Sequence, residues 1–146
     1  MNSDFIVAVH AMIFLYHKGE GNTISSEALA ENICTNPARV RKVMAQLKKA
    51  GFVETKEGTA GGYRFSGNAD TLSLSQVAEV LDIRFVDAAW RSGDTDMECL
   101  VASGMADIMD SIYAALDEQC KETLRKITIA DIDRMIFHPE KERTQL

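Results

Sequence analysis

Residues 35–66 read TNPARVRKVMAQLKKAGFVETKEGTAGGYRFS, a basic helical pattern followed at once by two short extended runs joined through glycines. Asn36 suits an N-cap, because its side-chain oxygen can accept from the free backbone N–H groups of a first turn. Pro37 fits the next position, where its missing N–H costs nothing. From there Val40, Val43, Met44 and Leu47 recur at helical spacing as an apolar stripe, and Arg39, Arg41, Lys42, Lys48 and Lys49 take the other faces. Gly51 closes the helix as a left-handed cap. FVETKEG then has strand character, Thr59, Ala60, Gly61 and Gly62 make a tip, and YRFS returns. Glycines there let the backbone turn tightly and approach another surface closely. A strand–glycine–strand unit directly after a basic helix predicts a wing.

The chain carries a formal charge of −6 over 146 residues, which by itself argues against nucleic acid. The distribution reverses that reading. Between residues 36 and 64 lie Arg39, Arg41, Lys42, Lys48, Lys49, Lys56 and Arg64, against only Glu54 and Glu57. A phosphate responds to the local field, screened over about 8–10 Å, more than to the total charge. A basic segment in an acidic protein is therefore either a DNA-facing patch or a solvated helix face.

Working towards the amino terminus, Phe5, Val9, Met12, Ile13 and Tyr16 mark one face of a helix over 4–18, ended by Gly19 and Gly21. Ser25 is a candidate N-cap for a short helix over 26–33, with Ala28, Leu29 and Ile33 on its buried side. On the other side, Ser73 with Gln76 forms a capping box, and Leu72 with Val77 a hydrophobic staple, for a helix to Leu81. Residues 84–94 show no period. Thr95 with Glu98 suggests a second capping box, opening a helix that runs to about Ile127. Its seam is Met105, Ile108, Met109, Ile112, Leu116, Cys120, Thr123 and Ile127. So long an apolar face outside the winged part is most economically covered by a second copy of the chain. ITIADIDRMIF adds one short helix, and 138–146 is expected to be a flexible tail. The expected organisation is a winged helix-turn-helix domain over 1–83, a linker over 84–94, and a dimerisation helix with its short C-terminal helix over 95–137. The fold class is mainly α with a small β-hairpin wing.

Composition excludes other classes. No apolar run approaches the roughly 20 residues of a membrane span. Asp4, His10 and His17 interrupt the apolar amino terminus where an export signal would carry Lys or Arg and then a clean apolar core. Cys34, Cys99 and Cys120 are odd in number and widely spaced, which argues against a disulfide scaffold and for a reducing cytoplasm. No phosphate-binding glycine loop, nucleophile elbow or metal-ligand pair is present in the sequence, so an enzyme is not expected.

The stretch 35–66, followed by LSLSQVAEVLD at 72–82, resembles the Rrf2 family of winged-helix regulators, which includes iron–sulfur cluster and cysteine-metabolism regulators. The likeness is strong in the helix–wing unit and architectural from there to about residue 136. It implies a homodimer that binds palindromic operators, usually as a repressor, with the third helix in the major groove. The first turn of such a helix reads bases, so Thr35, Asn36, Pro37, Arg39, Val40 and Arg41 become candidate contacts. Lys42 and Lys48 are candidates for phosphate, while Lys49 also suits the helix C-terminal dipole. Thr59, Gly61, Gly62, Tyr63 and Arg64 are the wing candidates, with a core role open for Tyr63. Ser25 and Ser26, at the start of the second helix, are candidates for backbone phosphate.

Several members of that family hold an iron–sulfur cluster through three cysteines around the start of the long helix. Here that region has only Cys99, so no cluster and no metal site are expected. Cys99, at a helix start, and Cys34, beside the basic helix, are redox-sensor candidates, whereas Cys120 belongs to the seam. His10, His17 and His138 lack metal-ligand spacing. Phe85, Val86 and Trp90 are candidates to line a small effector pocket or to anchor the linker. The expected partners are double-stranded DNA, a second copy and an unidentified small effector, with no membrane. The competing reading is a winged-helix protein-interaction module that does not bind DNA.

Overall fold

A computed structural model describes residues 2–142. The winged unit is built around α1 (Asn2–Lys18), whose residues Ala8, Ala11, Met12 and Leu15 are almost wholly buried. Of the face expected to turn inward, Met12 and Ile13 are buried, but Phe5, Val9 and Tyr16 are only half-buried. The helix is apolar nearly all round, so periodicity alone could not choose its face. Small alanines turned inward let neighbouring elements pack close.

Next come α2 (Ser26–Ile33) and α3 (Pro37–Lys49), each opened by the expected cap: Ser25 accepts from Ala28 N at 3.1 Å and Asn36 from Arg39 N at 2.8 Å. Within α2, Leu29 is buried as expected, but Ala28 is exposed and Ala30 takes the inner position. Cys34 ends α2 in a left-handed conformation, φ +63°, which allows Thr35 N to donate back to Ala30 O. At the end of α3 the same job falls to Gly51, φ +82°. Phe52 N donates to Leu47 O and Gly51 N to Lys48 O, satisfying carbonyls that the helix leaves free.

Strands β1 (Val53–Lys56) and β2 (Gly62–Phe65) form an antiparallel hairpin with Val53 opposite Phe65 and Thr55 opposite Tyr63. Ile24 adds a bridge to Tyr63 with hydrogen bonds in both directions. The predicted box at Ser73 and Gln76 opens α4 (Leu74–Val80), and both of its reciprocal bonds are present. Val40, Val43, Met44 and Leu47 from α3, Val77 from α4 and Leu29 from α2 meet α1 in one core with no exposure at any of these six.

The carboxyl-terminal half departs from expectation in three places. The long helix α5 (Leu100–Arg125) starts four residues later than the Thr95–Glu98 box required. Asp94 captures that segment first, accepting from Asp96 N through its side chain and from Met97 N through its carbonyl. Such a local turn competes directly with a helix start. Second, α6 (Ile129–Phe137) does not accompany α5 as part of a separate unit. Its Ile129 and Ala130 are buried in the winged core, and their N–H groups donate to Leu72 O and Ala69 O. Third, the expected flexible tail begins with a short helix, α7 (Pro139–Glu142), and its last residues, 143–146, lie outside the described residues.

Candidate nucleic-acid interface

Helix α3 sorts its side chains sharply. Its buried stripe faces α1, and the opposite side exposes Ala38, Arg41, Lys42, Ala45, Lys48 and Lys49. No carboxylate occurs on that exposed side. Two alanines along its centre keep the helix slim, flanked by cations, which is the shape a major groove admits. Among the described residues no carboxylate stands within ion-pairing distance of Lys42, Lys48 or Lys49.

Three expected contacts are placed differently. Val40 is fully buried and belongs to the core stripe, so its side chain is not available to a base. Arg39 points across to the start of α1, where its Nε and Nη2 both donate to Asp4 Oδ1 at 3.0 Å. Ser26 is nearly buried, and its hydroxyl lies 3.3 Å from Arg41 Nη1 and 3.2 Å from a Glu27 carboxylate oxygen. Arg41 remains about half-exposed and also lies 3.7 Å from Glu27. Thus Ser26 steadies Arg41 at the edge of the exposed face.

The wing carries its own compensation. Arg64 bonds to Glu54 across the hairpin at 2.8–2.9 Å, so Lys56 and Glu57 are the remaining charges of the wing. Thr59 is exposed at the tip, as expected. The glycines serve the fold before any ligand. A Cβ on Gly62 would stand 2.4 Å from Ile24 O, and one on Gly61 only 2.2 Å from Lys56 O. Tyr63 is half-buried against the core, pairing through its backbone with Ile24. The cationic count over 36–64 therefore overstated the patch, because Asp4 and Glu27 lie outside that window. Neither was identified from sequence; only proximity in the fold pairs them with arginines.

Helix α5 exposes an apolar stripe. Leu100 is 85% exposed, and Val101, Met105, Ile108, Met109, Ile112 and Leu116 follow along one side. Cys120 sits half-buried at its edge. The linker 84–94 lies against the other side as a strap. Phe85 N and Val86 N both donate to Asp117 Oδ1, at 2.7 and 3.1 Å, while Lys121 Nζ holds Oδ2 at 3.1 Å. Burial alone would raise the Asp117 pKa, but the two backbone donors and the lysine outweigh it and hold the carboxyl below its ordinary value. Arg91 reaches from the strap to both Asp107 and Asp110. Phe85 also packs edge-on against Phe5, 5.1 Å between ring centres, whereas Trp90 is 78% exposed. The trio Phe85, Val86 and Trp90 thus does not converge on one pocket; the first two anchor the strap.

The sequence pattern of Rrf2, an iron-dependent transcriptional regulator family, matches residues 1–134. The chain belongs to the Rrf2 family. IscR of Vibrio campbellii is 23% identical over 125 residues, covering 86% of this chain and 71% of that protein. YwnA of Bacillus subtilis, an HTH-type regulator by name, is 23% identical over 94% of this chain and 99% of its own. Among solved structures, a transcriptional regulator from Lactobacillus plantarum superposes with a TM-score of 0.81 at 22% identity, covering 94% of this chain and 92% of its own. CymR of Bacillus subtilis gives 0.66 at 18% identity over 91% and 95%. The winged-helix regulator fold is therefore shared by protein chains of very different sequence.

Iron dependence in the family raises the question of a cluster here. Ligation needs thiolates that converge. Cys99 caps α5 and Cys120 lies 21 residues along the same helix, roughly 31 Å away at the α-helical rise. Cys34 ends α2. The cysteines of one chain therefore do not fit a cluster, and among the described residues no three metal-binding side chains gather. Cys34 and Cys99 are both exposed. The Cys99 thiol makes no capping hydrogen bond of ordinary geometry, yet the nearby N–H groups of Ala102 and Val101 favour its thiolate and hold its pKa below the usual thiol value. Among the described residues no helix is long and apolar enough to cross a membrane.

Proposed function

We propose that this Rrf2 regulator binds a palindromic operator as a homodimer and represses transcription, with α3 of each subunit in successive major grooves. The observation that carries the reading is the exposed side of α3: Ala38, Arg41, Lys42, Ala45, Lys48 and Lys49, cationic and free of carboxylates in a chain of charge −6. Thr35 and Asn36, with Arg41, sit at the leading end and take the base-reading role; Lys42 and Lys48 take phosphates. Arg39 positions the helix through Asp4. In the wing, Thr59, Lys56 and the backbone of Gly61 follow the flanking phosphates, and Ser25 joins them at the start of α2.

The apolar stripe of α5 supplies the two-fold pairing, which would set the spacing between the two half-sites. Strap and stripe occupy opposite sides of one helix, so a signal at 84–99 reaches the pairing surface through α5 itself. Selection of genomic DNA fragments by the purified protein is expected to enrich a palindrome. Failure to enrich any sequence, with a stable fold, would favour a protein-interaction module instead. Ile112→Glu is expected to yield monomers in sedimentation and to weaken operator binding; an unchanged dimer removes the stripe from the interface.

A further inference from the structure

Between the strap and α5 lies an open cavity of about 590 Å³, within the span of about 300–1,000 Å³ usual for small-molecule sites. The strap runs antiparallel to the helix. Its Phe85 and Val86 are tied at Asp117, and its Arg91 at Asp107 and Asp110. Between those ties the two elements part and leave the cavity. On the helix side, Asp110, Ala114, Asp117 and Lys121 recur at three- and four-residue spacing, on the face opposite the apolar stripe. The cavity is therefore built by one chain and stands clear of the pairing surface proposed above.

Its two walls differ in sign. The strap supplies Arg84 and Arg91 against Asp87, and the helix supplies Asp110, Asp117 and Glu118 against Lys121. Most of these charges are held only by exposed pairs: Arg84 lies 3.5 Å from Asp87, Arg91 2.7 Å from Asp110, and Glu118 2.8 Å from Arg125. Such pairs contribute little in water and exchange partners at little cost. Asp117 and Lys121 are the exception, committed to the strap backbone and to each other. Half-buried Tyr113 lines the cavity between Asp110 and Asp117, and among the described residues its hydroxyl has no hydrogen-bond partner. A tyrosine drawn into a wall ordinarily finds one.

We propose that this cavity binds a small zwitterion, a free amino acid or a short peptide with both termini unblocked. Its carboxylate faces the strap arginines, whose forked donors suit that group. Its ammonium faces Asp110 and Glu118, and the Tyr113 hydroxyl bonds to either end. The opposed walls select a dipolar ligand. A simple anion is repelled by the acidic helix and a simple cation by the strap arginines, so each loses on one wall what it gains on the other. Once occupied, the cavity is bridged from strap to helix, adding a tie between the two already present. Binding needs neither DNA nor a second copy, so the site stands or falls separately from the operator reading.

Isothermal titration of the full chain with each of the twenty L-amino acids, and with diglycine and trialanine, tests this. At least one compound should bind saturably with a Kd below about 1 mM. Which class binds tells a free amino acid from a peptide chain. The N-acetyl and the carboxamide derivatives of that compound should each bind at least about tenfold more weakly, because each lacks one of the two charges. Arg84→Gln and Glu118→Gln, both at exposed positions, should each raise the Kd at least about tenfold and leave the melting temperature of the free protein unchanged. If either variant fails to fold, the derivative series on the wild type decides alone. Absence of binding by every compound overturns the proposal. So does undiminished affinity for a derivative that lacks a charge, or equal affinity for succinate, an anion without an ammonium. Wild-type affinity in either charge variant removes one wall from the site, and the proposal with it.

Discussion

Arg39 places two donors, Nε and Nη2, on a single oxygen of Asp4, each at 3.0 Å, and so joins the first turn of α3 to the first turn of α1. Both side chains are partly shielded, at 32% and 19% exposure. Arg39, one of the candidate base contacts in the sequence, is held here by an acidic side chain of another helix.

Arg39→Ala is therefore expected to cost about 1 kcal/mol of stability, the scale of a partly exposed ion pair. Operator affinity should fall uniformly, with base preference unchanged. Thermal melts and binding to single-base operator variants check this. Relaxed preference at one base pair would return Arg39 to the reading face.

Lys42 and Lys48 stand exposed without an acidic partner among the described residues. Lys42→Ala and Lys48→Ala should each weaken all duplex sequences alike. Each should also reduce the slope of log affinity against log salt by about 0.9 for every phosphate that the lysine neutralises. Titrations at several salt concentrations measure it. A variant with the full wild-type slope does not touch phosphate through that residue.

Asp117 ties the strap to α5 through Phe85 N and Val86 N. Its pKa is depressed in the fold, so its contribution is present above the unfolded carboxylate value and lost as pH falls through the lower folded value. Urea unfolding between neutral and acid pH should show that loss. Asp117→Asn, which keeps an acceptor but no charge, should flatten this part of the profile. Asp117→Ala leaves two part-buried donors unpaired and should cost about 1 kcal/mol at neutral pH.

At Gly62 a methyl group would collide with the Ile24 carbonyl at 2.4 Å. Gly62→Ala is expected to destabilise by about 1–3 kcal/mol, since backbone must move to admit it. A urea midpoint equal to that of the wild type would mean that the hairpin does not lie against residue 24.

Cys99, exposed and with its thiolate favoured by the N–H groups of Ala102 and Val101, should be alkylated by iodoacetamide near neutral pH faster than an unperturbed thiol. Mass spectrometry of tryptic peptides gives the rates at Cys99 and Cys34 in one sample. Slower labelling at Cys99 than at Cys34 would remove it as the redox candidate.

What could be read from residues alone was whatever depends on neighbours in the chain. Asn36–Pro37, Ser25 and Ser73 with Gln76 begin the helices they were expected to begin, because a cap is a bond across three residues. The stripe Val40, Val43, Met44 and Leu47 is buried as its spacing required. The hairpin follows from strand character around glycines. The Thr95–Glu98 box failed for an equally local reason, the competing turn at Asp94, which the same residues could have shown.

Tertiary structure alone decided which cations remain available. Arg39 is answered by Asp4, 35 positions away, and Arg64 by Glu54 across the hairpin, while Lys42, Lys48 and Lys49 face outward. It also decided that α6 completes the winged core and that the start of α5 stays bare. Local order comes from bonds spanning a few residues and is written in consecutive letters. Charge pairing and burial depend on distances through space, which exist only once the chain has closed on itself.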